Sequence, residues 1–136
     1  MNYSSFDRYN FFIKKDSSSP LIKFPLTQEL RERYDLTDEI LENVAVTFSM
    51  IDADTGRFRI ANLAGDLVVS DDDVVSEEKY TLTYRFTLSN TSKIGRYYGE
   101  FVLDILGEEN CGKIKLPVSG YINIQIGDTI TKTTVL

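Results

Sequence analysis

The segment Ile122-Asn123-Ile124-Gln125-Ile126 alternates isoleucine with an amide side chain at every step. It follows Pro117-Val118-Ser119-Gly120-Tyr121, in which proline and glycine are typical of a turn. Because successive side chains of a β-strand point to opposite faces, this alternation predicts a strand with one apolar and one solvated face. Such a strand packs one face of an antiparallel sheet on a core. No side chain in it performs chemistry.

Strand patterns of the same kind cover most of the chain. The clearest runs from residue 80 to residue 89, where alternating apolar side chains predict one buried face: Tyr80, Leu82, Tyr84, Phe86 and Leu88. A long strand is predicted over residues 96–106, and shorter ones over residues 10–14, 21–26, 44–50, 57–63 and 67–70. Pro20 and Pro25 place the second short strand at a sheet edge, because proline cannot donate a ladder hydrogen bond. The set predicts an all-β fold, an antiparallel β-sandwich of seven to nine strands.

One stretch departs from the strand pattern. Between residues 27 and 43, Thr27 and Thr37 each precede a run of helix-forming residues and are suited to cap it. We expect a short helical insertion here, decorating the sandwich. The predicted organisation is an aromatic N-terminal arm (residues 1–9), a sandwich domain (residues 10–127) and a β-prone tail (residues 128–136).

Composition narrows the function classes. The chain has no histidine, so Ser-His-Asp and Cys-His catalytic arrangements and histidine zinc sites are excluded. Its single cysteine, Cys111, excludes an intrachain disulfide and fits a reducing compartment. The net charge of −6 and the absence of clustered Lys and Arg argue against direct nucleic-acid binding. No apolar run approaches the roughly 20 residues of a membrane helix, so no membrane partner is expected.

Two acidic segments are candidate metal loops. Asp52-Ala53-Asp54-Thr55-Gly56 is similar to the start of a calcium loop, but the same residues are what a tight hairpin turn requires. Asp71-Asp72-Asp73 could bind a cation together with Glu77 or Glu78, whereas adjacent carboxylates more often form a solvated loop. In both cases we favour the structural interpretation. We therefore predict no metal ligand, no catalytic residue and no cofactor.

The aromatic residues near the N-terminus are the candidate interaction site. Five aromatic residues fall within residues 3–12, more than one edge strand can bury. Two interpretations stay open. Either some of these residues fill the core of the sandwich, or they form an aromatic arm that docks on a neighbouring subunit, as interface anchors often do. The residues predicted to contact a partner are Tyr3, Phe6, Tyr9 and Phe11.

The order of these segments resembles the immunoglobulin-like N-terminal domain of tailed-phage baseplate upper proteins and related phage virion modules. The matching segments span most of the chain, in this order: Phe11–Asp16, Pro20-Leu21, Asp35-Leu36-Thr37, Val44–Met50, Asp52–Gly56, Tyr84-Arg85-Phe86, Gly95–Phe101 and Leu116–Ile124. The chain departs from the family pattern by extra residues at 38–43 and by a longer acidic loop at 71–78.

The resemblance implies an immunoglobulin-like sandwich and a non-catalytic role in the virion. The chain is then made in the host cytoplasm and assembles with other virion proteins and with copies of itself, as an oligomer in the tail, baseplate, neck or capsid fittings. Two alternatives stay open. One is a carbohydrate- or host-surface-binding sandwich, in a calcium-dependent form if the acidic loops take part. The other is an enzyme that uses a pair of carboxylates.

Overall fold

The computed structural model describes residues 9–70, 79–107 and 112–128. Within these ranges the chain forms strands and two short helices. The strands are β1 (Asn10–Lys14), β2 (Ile22–Pro25), β3 (Val44–Asp52), β4 (Phe58–Ala64), β5 (Asp66–Val69), β6 (Tyr80–Tyr84), β7 (Gly95–Ile105), β8 (Gly112–Leu116) and β9 (Ile122–Gly127). The helices are α1 (Gln28–Arg33) and α2 (Asp38–Leu41).

The strands form two sheets that share one core. One sheet has the order β1-β9-β7-β3-β4, with β8 beside the second half of β7, and the other has the order β2-β6-β5. The isoleucines of β9 are buried, as its alternation predicts. Phe48 of the first sheet stacks on Tyr84 of the second, with 4.9 Å between ring centroids. The prediction of an all-β chain built as two sheets is confirmed, and β2 lies at an edge, as Pro20 and Pro25 predicted.

The prediction of a purely antiparallel sandwich is wrong for one pair of strands. β1 runs parallel to β9, with Asn10 opposite Asn123 and Lys14 opposite Gly127. The reason lies in the connection that follows β1. The chain passes through residues 15–20 into β2 of the other sheet, so this crossing, and not a hairpin with β9, sets the direction of β1.

The predicted strand over residues 80–89 ends early. β6 stops at Tyr84, and although Phe86 is buried, the Leu88 side chain is 58% exposed instead of facing the core. Local hydrogen bonds explain the early end. The Asn90 side-chain oxygen accepts bonds from the Tyr84 hydroxyl and the Thr87 N–H, both at 2.9 Å. Such side-chain bonds compete with a strand ladder and close the chain into a turn.

The helical insertion is present where it was predicted. Thr27 Oγ1 accepts the Leu30 N–H at 3.3 Å, and Thr37 Oγ1 accepts the Ile40 N–H at 3.2 Å, so both threonines act as N-caps. The Tyr80 hydroxyl of β6 donates a 2.5 Å hydrogen bond to the Asp38 carboxylate. Burial, with the added effect of this bond, raises the pKa of Tyr80 to about 12. The insertion is thereby attached to the three-stranded sheet.

The chain changes sheets at Gly65, between β4 and β5. The Gly65 N–H donates to the Val46 carbonyl of the first sheet at 2.9 Å. A Cβ atom at this position would lie 2.6 Å from the Thr83 carbonyl oxygen of the second sheet. The crossing therefore depends on a residue without a side chain.

Candidate interaction surface

Of the four residues predicted to contact a partner, the structure describes Tyr9 and Phe11, and both pack inward. The Tyr9 ring lies 5.3 Å from that of Phe24, and the Phe11 ring lies 5.7 Å from that of Phe86. Tyr3 and Phe6 lie outside the described residues, so the role predicted for the four stays a prediction. Because side chains alternate along β1, the inward positions of Phe11, which is partly buried, and of Ile13, which is buried, turn Phe12 outward, where it is 68% exposed.

Three aromatic side chains are exposed or half-buried on the outer side of the six-stranded sheet, and we call Phe12, Tyr98 and Tyr121 the aromatic face. Tyr98 lies on β7 and stacks on Tyr121, with 5.3 Å between ring centroids and an interplanar angle of 23°. Tyr121 precedes β9 and is 48% exposed. The stacked pair and the exposed phenylalanine together place three aromatic rings on this side of the sheet.

Hydrogen-bonding side chains lie among the rings. Asn10 is opposite Asn123, which is opposite Tyr98, while Gln125 lies between Phe12 and Arg96. These residues line a shallow groove of about 300 Å³. The side chains of Asn10, Asn123, Gln125 and Arg96 make no hydrogen bond or ion pair with any other described residue. Their donors and acceptors are thus available to a ligand or partner.

Part of this surface could have been found from the sequence. The alternation that turns Phe11 and Ile13 inward requires Phe12 to point the other way, so the outward aromatic of β1 was predictable. The contact between Tyr98 and Tyr121 was not, because it depends on the register of β7 against β9, in which Gly99 is opposite Ile122.

The Asp52–Gly56 segment forms the tight turn that we favoured over a calcium loop. Asp52 Oδ1 accepts the N–H groups of Asp54 and Thr55 at 2.8 and 3.1 Å, and these bonds hold the pKa of Asp52 below its usual range. Gly56 has a positive φ of 74°. No cluster of three or more possible metal ligands occurs within residues 9–70, 79–107 and 112–128. Asp71–Asp73 and Cys111 lie outside the described residues.

Comparison of the chain with protein-family models, with curated proteins and with solved structures finds no match. In the part of the chain that the structure describes, neither helix has the length and apolar character needed to cross a membrane.

Proposed function

We propose that the chain is a non-catalytic, immunoglobulin-like structural module of a tailed-phage virion that binds other virion subunits. The observation that carries the binding role is the aromatic face, in which Phe12 and Tyr98 line one groove with Arg96 and Tyr121 stacks on Tyr98. Tyrosine and arginine are enriched among the residues that dominate protein interfaces. The assignment to a virion rests on the ordered segments that resemble phage baseplate modules.

The strand order supports the immunoglobulin-like part of the proposal. In variable-type immunoglobulin domains, one sheet contains strands G, F, C and C′ and the other contains B, E and D. In this chain β9-β7-β3-β4 corresponds to G-F-C-C′, and β2-β6-β5 corresponds to B-E-D. The neighbours within each sheet are the same, and the corresponding strands follow one another along the chain in the same succession. The chain lacks the tryptophan and the cysteine pair of antibody domains, so its core depends on other aromatic residues.

Tyr97 gives a second line of support. It is the third residue of β7, the counterpart of strand F, and its side chain is buried. Its hydroxyl donates a 2.8 Å hydrogen bond to the carbonyl of Lys93, four residues upstream. This arrangement resembles the tyrosine corner of immunoglobulin-like sandwiches, in which a tyrosine ties the start of strand F to the preceding loop.

Replacing Tyr97 with phenylalanine should lower the free energy of unfolding by about 0.5–1.5 kcal/mol, the typical net value of one hydrogen bond. The ring stays in place while the Lys93 carbonyl loses its partner. Equilibrium urea unfolding followed by circular dichroism measures the change. Tyr121→Phe is the matched control and should leave stability unchanged, because its ring is half exposed. Equal stability of both variants would count against the tyrosine corner.

The binding role is tested in the phage that encodes the chain. Mass spectrometry of purified particles should detect the polypeptide. A variant with serine at Phe12, Tyr98 and Tyr121 should fold normally but be largely lost from particles, because the apolar anchors are gone. Phe58→Ser is the control, since Phe58 is 66% exposed on β4 at the far edge of the same sheet. Particles that lack the wild-type polypeptide would refute the virion role.

The unpartnered amides favour a second candidate, a carbohydrate- or host-surface-binding module. Asn10, Asn123 and Gln125 offer paired donors and acceptors to sugar hydroxyls, and Phe12 offers an apolar surface to the sugar ring. Titration of the ¹⁵N-labelled chain with neutral oligosaccharides, with and without calcium, tests it by NMR. Shifts confined to β1, β7 and β9 would support a sugar site. An unchanged spectrum at millimolar sugar would remove this candidate.

A further inference from the structure

The open edge of β1 differs from the other strand edges of the described sheets. β1, β4 and β8 each pair with a single described strand of the larger sheet, as β2 and β5 do in the smaller one. β8 contains Gly112 and two lysines, Lys113 and Lys115, and lysine is a charged side chain that discourages edge pairing. β2 ends in Pro25, β4 carries register shifts against β3, and β5 has only four residues. Proline, bulges and short length are the usual devices that prevent an edge from pairing with another chain. β1 has five residues with no proline or glycine, and its one charged side chain, Lys14, is at its last position.

The hydrogen-bonding groups of this edge can be assigned. Towards β9, the Tyr9 carbonyl accepts the Asn123 N–H at 2.7 Å, and the Lys15 N–H donates to the Gly127 carbonyl at 2.8 Å. In a parallel strand, alternate residues direct both backbone groups to the same neighbour. Phe11 and Ile13 therefore face β9, and the N–H and C=O groups of Asn10, Phe12 and Lys14 face the open side. Among residues 9–70, 79–107 and 112–128, no strand pairs with these groups.

A largely apolar groove of about 450 Å³ borders β1, the turn that follows it and the end of β9. Phe12, Ile13, Pro20 and Gly127 contribute to its lining. An open ladder beside a groove for alternate side chains is the arrangement by which sheets accept an added strand.

The segment that follows β9 has the properties of such a strand. Residues 129–136 read Thr-Ile-Thr-Lys-Thr-Thr-Val-Leu, rich in β-branched side chains and without proline or glycine. Eight extended residues span about 26 Å, against about 17 Å for the five residues of β1. The segment follows Asp128, next to Gly127 in the groove lining. Its length and starting point are therefore sufficient to cover a β1 edge.

The direction of the chain at Gly127 favours a second molecule. Gly127 is still paired with Lys14 in the parallel ladder and is still extended when β9 ends. To reach the β1 edge of its own molecule, the chain would have to reverse and cross β1, a distance of about 10 Å. Pairing with a neighbour requires neither step.

We propose that residues 129–136 of one copy add as a strand to the open β1 edge of a second copy and cover the groove beside Phe12. The contact is heterologous, since each molecule donates its tail and accepts another at a different site. This contact makes the proposed assembly role more specific, because it names a second copy of this chain as the partner. Its occurrence in a virion rests on the function proposed above.

The test uses purified full-length protein and two variants with opposite defects. Deletion of residues 129–136 removes the donor and keeps the edge. Phe12→Pro removes one N–H from the open side of β1, keeps the β9 ladder and retains the donor. In light scattering coupled to gel filtration, wild type should form dimers or larger species, and each variant alone should be monomeric. Their mixture should form a 1:1 heterodimer and nothing larger.

Circular dichroism and unfolding curves show whether each variant is folded, and Phe12→Ala separates loss of the ring from loss of the N–H. If Phe12→Pro does not fold, a synthetic peptide of residues 128–136 replaces it and should bind the deletion variant. A monomeric wild type, or failure of both mixture and peptide to form a complex, would overturn the proposal. So would stronger self-association of the deletion variant, which would mean that the tail covers its own edge. None of these outcomes decides whether the polypeptide is present in particles.

Discussion

Replacement of Phe48 by alanine should lower the free energy of unfolding by about 3–5 kcal/mol, the usual cost of removing a fully buried phenylalanine. Phe48 is 0% exposed on β3. Its ring lies 4.9 Å from those of both Tyr84 and Phe101, which belong to different sheets. The substitution removes apolar burial and leaves a cavity at the junction of the two sheets. Chemical unfolding with urea measures the loss.

Phe58→Ala is the matched control for this substitution. Phe58 lies on the neighbouring strand β4, opposite Ile51, and 66% of its surface is exposed. Alanine there should change the free energy of unfolding by less than about 0.5 kcal/mol, as is usual for surface positions. Comparable losses in the two variants would mean that Phe48 is not at the centre of the core.

Gly65→Ala should lower the free energy of unfolding by about 1–3 kcal/mol, the range for inserting atoms into a packed site. The added methyl group would meet the Thr83 carbonyl oxygen at 2.6 Å and Val46 Cγ1 at 3.2 Å. The first of these atoms is backbone within β6, so relief of the clash requires the two sheets to move apart. Thermal and urea unfolding should both show the loss.

Gly107→Ala tests the same chemical change where there is space. No heavy atom lies within 4 Å of a Cβ built at Gly107. Alanine there should leave stability unchanged or raise it slightly, because it reduces the conformational freedom of the unfolded chain. If alanine at Gly65 were tolerated equally well, the crossing between the sheets would not depend on close approach.

The aromatic face shows which parts of an interaction surface a local residue pattern can predict and which it cannot. The outward position of Phe12 follows from the alternation that turns Phe11 and Ile13 inward. The pairing of Tyr98 with Tyr121 does not follow from any local pattern, because the two residues lie on different segments. Only the register between β7 and β9 brings their rings together.

The amino-acid sequence alone determined most of the strand segments, though not β8, together with which of their faces are apolar and where two threonines begin short helices. These properties depend on neighbouring residues and on the geometry of one strand or one turn. Tertiary structure decided the parallel direction of β1, the early end of β6 at Tyr84 and the open edge beside Phe12. Each of these depends on contacts between distant segments: the crossing from β1 into β2, the Asn90 bonds to Tyr84 and Thr87, and the order of strands in the sheet. An alternating pattern specifies which side chains are buried, but it does not specify which strand lies alongside or in which direction it runs.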